Sequence, residues 1–239
     1  MKTRRYFIIF ALTISIGAVF VFLYQQNNSN HTAPANADPQ NTEIIEGEDP
    51  VIKIPLEGGK EFSFQLEDIP ILQNYISGSS TPKLDIQRLT ATSVIQDEHK
   101  QVILLHFSCG NKMCSHILVE KENEKITSIN VEESSIFQTT KITDDQYYLG
   151  IKFGRNEGNI NFNNIVLIDL KTFKVVPFQE SNYLNYSYPI LSYRFYDKSV
   201  ILTIPDINKP TKEAIINWIE SGKKDKKIKE VKVYLKKIE

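Results

Sequence analysis

Only two of the 239 residues are cysteine, Cys109 and Cys114. That excludes a small fold stapled by several disulfides, and it leaves a four-thiolate zinc site without enough ligands. Charge of one sign is equally scarce. The 28 basic residues nearly cancel the 29 acidic ones, so bulk charge marks out no strongly basic nucleic-acid-binding domain. Histidine occurs four times, at His31, His99, His106 and His116, a thin supply for acid–base chemistry. Gly-x-Ser-x-Gly, His-Glu-x-x-His and the dinucleotide fingerprint are all missing. The sequence thus implies no cofactor, no metal and no nucleic acid, and it names no activity. With 41% hydrophobic residues, it can bury one substantial core.

The N-terminus carries the clearest signal. Lys2, Arg4 and Arg5 precede an uncharged apolar run from Tyr6 to Tyr24. As a helix this run reaches roughly 28 Å, close to the hydrocarbon thickness of a bilayer, and a helix satisfies its own backbone there. The cations should stay on the cytoplasmic side, which sends the rest of the chain across. The expected layout is a cytoplasmic end (1–5), a single-pass transmembrane helix or signal anchor (6–24), a flexible stalk (25–50) and an extracytoplasmic domain (51–239). The stalk is rich in Asn, Ser, Thr, Ala and Pro, a composition that buries too little to offset its ordering entropy. The alternative is a secreted protein cleaved near Ala37, after the small-x-small triplet Ala35-Asn36-Ala37.

Beyond Val51, β-branched and aromatic residues cluster in runs of five to eight bounded by Gly, Asn, Asp and Lys, which predicts an all-β domain. Glu67 to Ile76 is the one segment read as a short helix, with Pro70 in its first turn. An acidic turn, a strand, a loop, a strand, a short turn and a strand then recur. The first copy holds Gln101–Phe107, His116–Glu120 and 125–129. The second holds Tyr147–Phe153, Asn164–Leu170 and 174–178. The third holds Ser199–Ile204, Ala214–Glu220 and 227–231. Their first strands end at Phe107, Phe153 and Ile204, spaced by 46 and 51 residues. Over roughly 90–235 this resembles β-propeller blades and implies repeated antiparallel β-meanders in a small or degenerate propeller-like fold. A β-sandwich is the alternative, since a meander must bury its faces against another sheet. Within the third copy, Thr211 and Gly222 also suit the caps of a helix, but the repeat favours a strand.

The string from His106 to His116 holds both cysteines and two histidines. If residues 110–113 form a four-residue hairpin loop, Cys109 faces Cys114, Phe107 faces His116 and His106 faces Ile117. Three ligands at most would share a face, so a Cys109–Cys114 disulfide is the expectation in an oxidising compartment. Tyr183, Tyr186, Tyr188 and Tyr193, interleaved with asparagines, are the candidate binding residues, as a platform for sugar rings or a partner's side chains; the competing reading buries them in the core. The acidic pairs at 132–133 and 144–145 lack calcium-loop spacing and suit turns. The segment 154–163 reads as an exposed hairpin excursion. The last 17 residues carry 8 basic and 3 acidic side chains, read as a strand with solvated lysines. The expected function is binding of an envelope protein or glycan. The rival is an exported hydrolase of glycan or peptide working through two carboxylates in a cleft.

Overall fold

In the computed structural model the described residues are 42–45, 50–110, 112–144, 146–180, 182–196, 198–221 and 226–236. The segments 1–5 and 6–24 and nearly all of 25–50 lie outside them. Among the described residues no helix is long and apolar enough to cross a membrane.

The domain is predominantly β, with three antiparallel sheets, none of them a closed barrel. The first sheet is β1 (Glu43–Ile45), β2 (Val51–Pro55) and β3 (Glu61–Gln65), paired in that order. Two short helices follow, α1 (Pro70–Ser77) and α2 (Pro82–Gln87), each with proline in its first turn, where a missing N–H costs nothing.

A seven-stranded meander comes next: β4 (Thr90–Gln96), β5 (Lys100–Gly110), β6 (Met113–Glu122), β7 (Lys125–Ile142), β8 (Tyr148–Glu157), β9 (Ile160–Asp169) and β10 (Lys174–Val175). Its pivot is β7, which pairs with β6 up to Ser135 and with β8 from Ile136 onward. The register slips between Phe137 and Thr139. A strand that changes partner midway lets the meander fold back on itself. The last sheet is β11 (Ser192–Tyr196), β12 (Ser199–Pro205) and β13 (Ile228–Tyr234), again in sequence order.

Among the described residues, three larger cores connect these layers. Ile52, Ile54, Phe62 and Phe64 of the first sheet pack with Leu72 and Ile76 of α1 against Ile103, Leu105 and Phe107 of β5. Val102, Leu104 and Leu118 face Leu149, Ile151, Phe153, Val166 and Ile168 across the fold of the meander. Ile165 meets Tyr188, Ile190, Tyr193, Val200, Leu202 and Val233 of the last layer. The middle strands are therefore buried on both faces. Their sequences show it, because Val102–Leu105 and Ile165–Ile168 are unbroken apolar runs rather than alternating ones. Burying one such side chain contributes about 1.5–3 kcal/mol, so the doubly buried strands contribute disproportionately to the fold.

One expectation is corrected here. Residues 214–220 belong to a helix, α3 (Lys212–Glu220), and not to a strand. Thr211 accepts the Ala214 N–H through its side chain at 3.2 Å, and Ile215 is fully buried with Ile160 and Phe162. The cap satisfies a backbone donor that no adjacent strand would. The expected cap at Gly222 lies outside the described residues. The third copy of the repeat thus keeps β12 and β13 and loses its middle strand. The basic tail forms the strand expected of it, β13.

Candidate functional site

The β5–β6 hairpin departs from a simple four-residue loop. Ser108 and Lys112 adopt left-handed backbone, φ 50° and 71°, and the register slips between Phe107 and Gly110. One consequence overturns the expected pairing: Phe107 faces Ser115, and His106 faces His116. Cys109 and Cys114 are joined in a disulfide at the tip, with Cα atoms 4.1 Å apart.

The two imidazoles meet Nδ1 to Nδ1 at 2.8 Å in the interior. Their partners determine where the protons sit. The Ser135 carbonyl, 3.1 Å from His116 Nε2, can only accept, so His116 carries its proton on Nε2. His116 Nδ1 is then a lone pair, and His106 must donate to it from Nδ1. That leaves His106 Nε2 to accept from the Thr92 hydroxyl at 3.0 Å. All four ring nitrogens are used, and no lone pair is left for a metal. Burial, with the other imidazole close by, pushes His106 down to about 3; burial pushes His116 down to about 4 despite the Ser135 carbonyl. Both rings are therefore neutral at ordinary pH, packed against Phe137 and Phe153. Among the described residues no group of three or more His, Cys, Asp or Glu is placed to hold a metal ion.

The four candidate tyrosines do not share one platform. Tyr188 and Tyr193 are buried in the third core, at 4% and 3% exposure. The Tyr193 hydroxyl donates to the Gly150 carbonyl at 2.9 Å, and burial raises its pKa. Gly150 permits this approach, since a Cβ there would lie 2.7 Å from the Phe195 ring. Tyr183 is half-buried and leans on Tyr188, ring centroids 5.5 Å apart. Tyr186, also half-buried, lies under the Arg155 guanidinium at 4.0 Å. Arg155 in turn donates to the carbonyls of Glu133 and Ser134 at 2.8 and 3.1 Å. Nearby, Lys141 donates to the Tyr193 carbonyl at 2.9 Å and Lys152 to that of Ile190. Burial, with Lys141 adjacent, pushes Lys152 down to about 8. These lysines fasten the start of β11 to the meander.

An open cleft of about 600 Å³ lies where the two halves of the meander meet. Val94, Ile95, Ile142 and Leu170 supply its apolar lining, and Asp97, Lys100, Asp144 and Lys171 its charges. That volume and that mixture suit a small ligand or a short segment of a partner. The acidic turns of the first two repeat copies converge here, although nothing in their spacing alone announced a cleft. Asp97 Oδ1 accepts the backbone N–H groups of His99 and Lys100 at 2.8 and 2.6 Å. Those hydrogen bonds hold its carboxyl below the usual range, so it stays ionised. Lys100 forms an ion pair with Glu120. Tyr147 lines the cleft with 58% of its surface exposed.

Comparison with protein-family models, with curated proteins and with solved structures finds no match for this chain.

Proposed function

We propose that this chain is a membrane-anchored, extracytoplasmic binding domain that takes its ligand, or a segment of an envelope protein or glycan, in the cleft between the halves of the meander. The observation that carries this reading is the cleft itself, which joins an apolar lining to charges of both signs at the turns between strands. The Cys109–Cys114 disulfide supports the compartment, because such bonds persist where the surroundings are oxidising. Tyr6–Tyr24 would hold the domain to the membrane.

The architecture is read here as a small, open, propeller-like stack. Successive small antiparallel layers share a core with the next in chain order, as blades do. The turn within β7, where one strand serves two layers, is also how a sandwich makes a corner, and this keeps the β-sandwich as the alternative.

The hydrolase reading draws on Asp97 and Asp144, which line one cleft. It needs one carboxyl that keeps its proton near neutrality, and Asp97, held ionised by its backbone hydrogen bonds, supplies only the base or nucleophile. Binding is the better-supported function.

Photo-crosslinking in intact cells tests it. A benzophenone amino acid in place of Tyr147 should capture one discrete species that the same substitution at Lys60, in the β2–β3 turn, does not. Identical adducts from both positions, or none from either, would contradict the proposal.

A further inference from the structure

The outer face of the last sheet has no layer over it among the described residues. Side chains alternate along a strand, so the residues opposite to the buried Tyr193, Leu202 and Val233 lie together on this face. The registers Arg194↔Ile201↔Lys232 and Ser192↔Thr203↔Glu230 set them in rows across β11, β12 and β13. At one end, Tyr196 and Tyr234 are 59% and 51% exposed. Both tyrosines are paired in register with Ser199, one on each side of it, and this places them two strand spacings apart, about 10 Å.

Lys232 reaches between them, with its ammonium 4.6 Å from the centroid of Tyr196 and 5.0 Å from that of Tyr234. Glu230, the acid of this face, is already taken by Arg194 in a two-pronged pair at 2.6 and 2.9 Å. Among the described residues Lys232 therefore has no carboxylate partner. The centre of the face is polar, with the Arg194–Glu230 pair beside a Ser192–Thr203 hydroxyl contact at 2.8 Å.

We propose that the Tyr196–Lys232–Tyr234 face binds a carboxylate-bearing glycan. The rings offer apolar faces to sugar C–H groups, the lysine offers an unmatched positive charge, and the hydroxyls and the Arg–Glu pair offer hydrogen bonds to sugar hydroxyls. A lipid surface fits less well. Insertion would strip water from the Arg194–Glu230 pair, and desolvating an ion pair costs more than its mutual attraction returns. This site lies on a different sheet from the cleft, so either can fail alone.

The test is retention of the full-length chain, in detergent, on immobilised polygalacturonate, with dextran as the neutral control. Wild type should be retained on the first only and released by salt. Y196S/Y234S and K232M should each weaken binding about tenfold, as loss of a small interface's central residues does. These side chains are exposed, so unfolding temperatures should stay within a degree or two, which separates lost binding from lost folding. An Ile142→Asp variant in the cleft should bind polygalacturonate like wild type. Absence of retention by wild type, equal retention of the face variants, or a face-dependent binding of anionic phospholipid vesicles in place of the glycan would each overturn the proposal.

Discussion

His106 Nδ1 and His116 Nδ1 lie 2.8 Å apart, one as donor and the other as acceptor, in a chain that runs from the Thr92 hydroxyl to the Ser135 carbonyl. A second proton on His116 would set its Nδ1–H against that of His106, and one on His106 would go to Nε2 and force the Thr92 hydroxyl to accept; either leaves a buried cation with no counter-charge in the chain. The pair is thus a neutral polar strut across β4, β5, β6 and β7.

Its pH dependence has a definite sign. Both imidazoles titrate lower in the folded protein, at about 3 and about 4, than the ordinary value of 6.5. Between those limits the unfolded chain binds more protons, so stability is fully present above about pH 6.5 and declines as pH falls toward about 3. Urea unfolding at pH 7, 6, 5 and 4 should show a steeper decline for wild type than for H106L/H116L, by several kcal/mol at the acid end. Parallel profiles would refute the neutral pair.

The hairpin tip tests the disulfide. With a sequence separation of 5 between the cysteines, the closed loop is short, and the C109S/C114S variant should lose about 2 kcal/mol at most, read by guanidinium unfolding. A larger loss would mean that the bridge also holds the register that brings His106 opposite His116. In that case the two histidine resonances would shift together.

The cap of α3 gives a sharp discrimination. Thr211→Ala removes the acceptor of the Ala214 N–H and should cost about 1 kcal/mol in thermal or urea unfolding, with Thr211→Ser nearly neutral. No change in T211A would favour a strand over the helix.

Gly150 is required by proximity. A methyl group there would press on Phe195 at 2.7 Å and on Tyr193 at 3.0 Å, so Gly150→Ala should destabilise by about 1–3 kcal/mol. Trimming the opposing ring with Phe195→Leu in the same chain should recover part of that loss. Full stability of G150A would mean that the third core is looser than described.

What the sequence made legible was whatever a periodic pattern records. The strand character of the body, the apolar runs at Val102–Leu105 and Ile165–Ile168, and the proline-led helix at Pro70 all write themselves locally. The histidine pair did not, because it depends on a left-handed Ser108, and a non-glycine residue in that conformation leaves no composition signal. Thr211 marks the start of α3 in the sequence, while the likeness of 214–220 to the strands of the other two copies points the opposite way. Tyr183, Tyr186 and Tyr188 lie in the irregular stretch between β10 and β11, where no period assigns a face. Only packing decides where they point, Tyr186 under Arg155 and Tyr183 against Tyr188 in the third core. The cleft is formed by turns distant in sequence, and no local pattern carries it.

The most direct measurement is proteolysis of intact cells. A protease added from outside should cut within the 25–50 segment and release a fragment holding Cys109 and Cys114 still bridged, which blocked-thiol mass spectrometry would show unlabelled. If the chain stays whole until the cells are broken, or if both cysteines of the fragment carry the label, an extracytoplasmic binding domain is the wrong description of this protein.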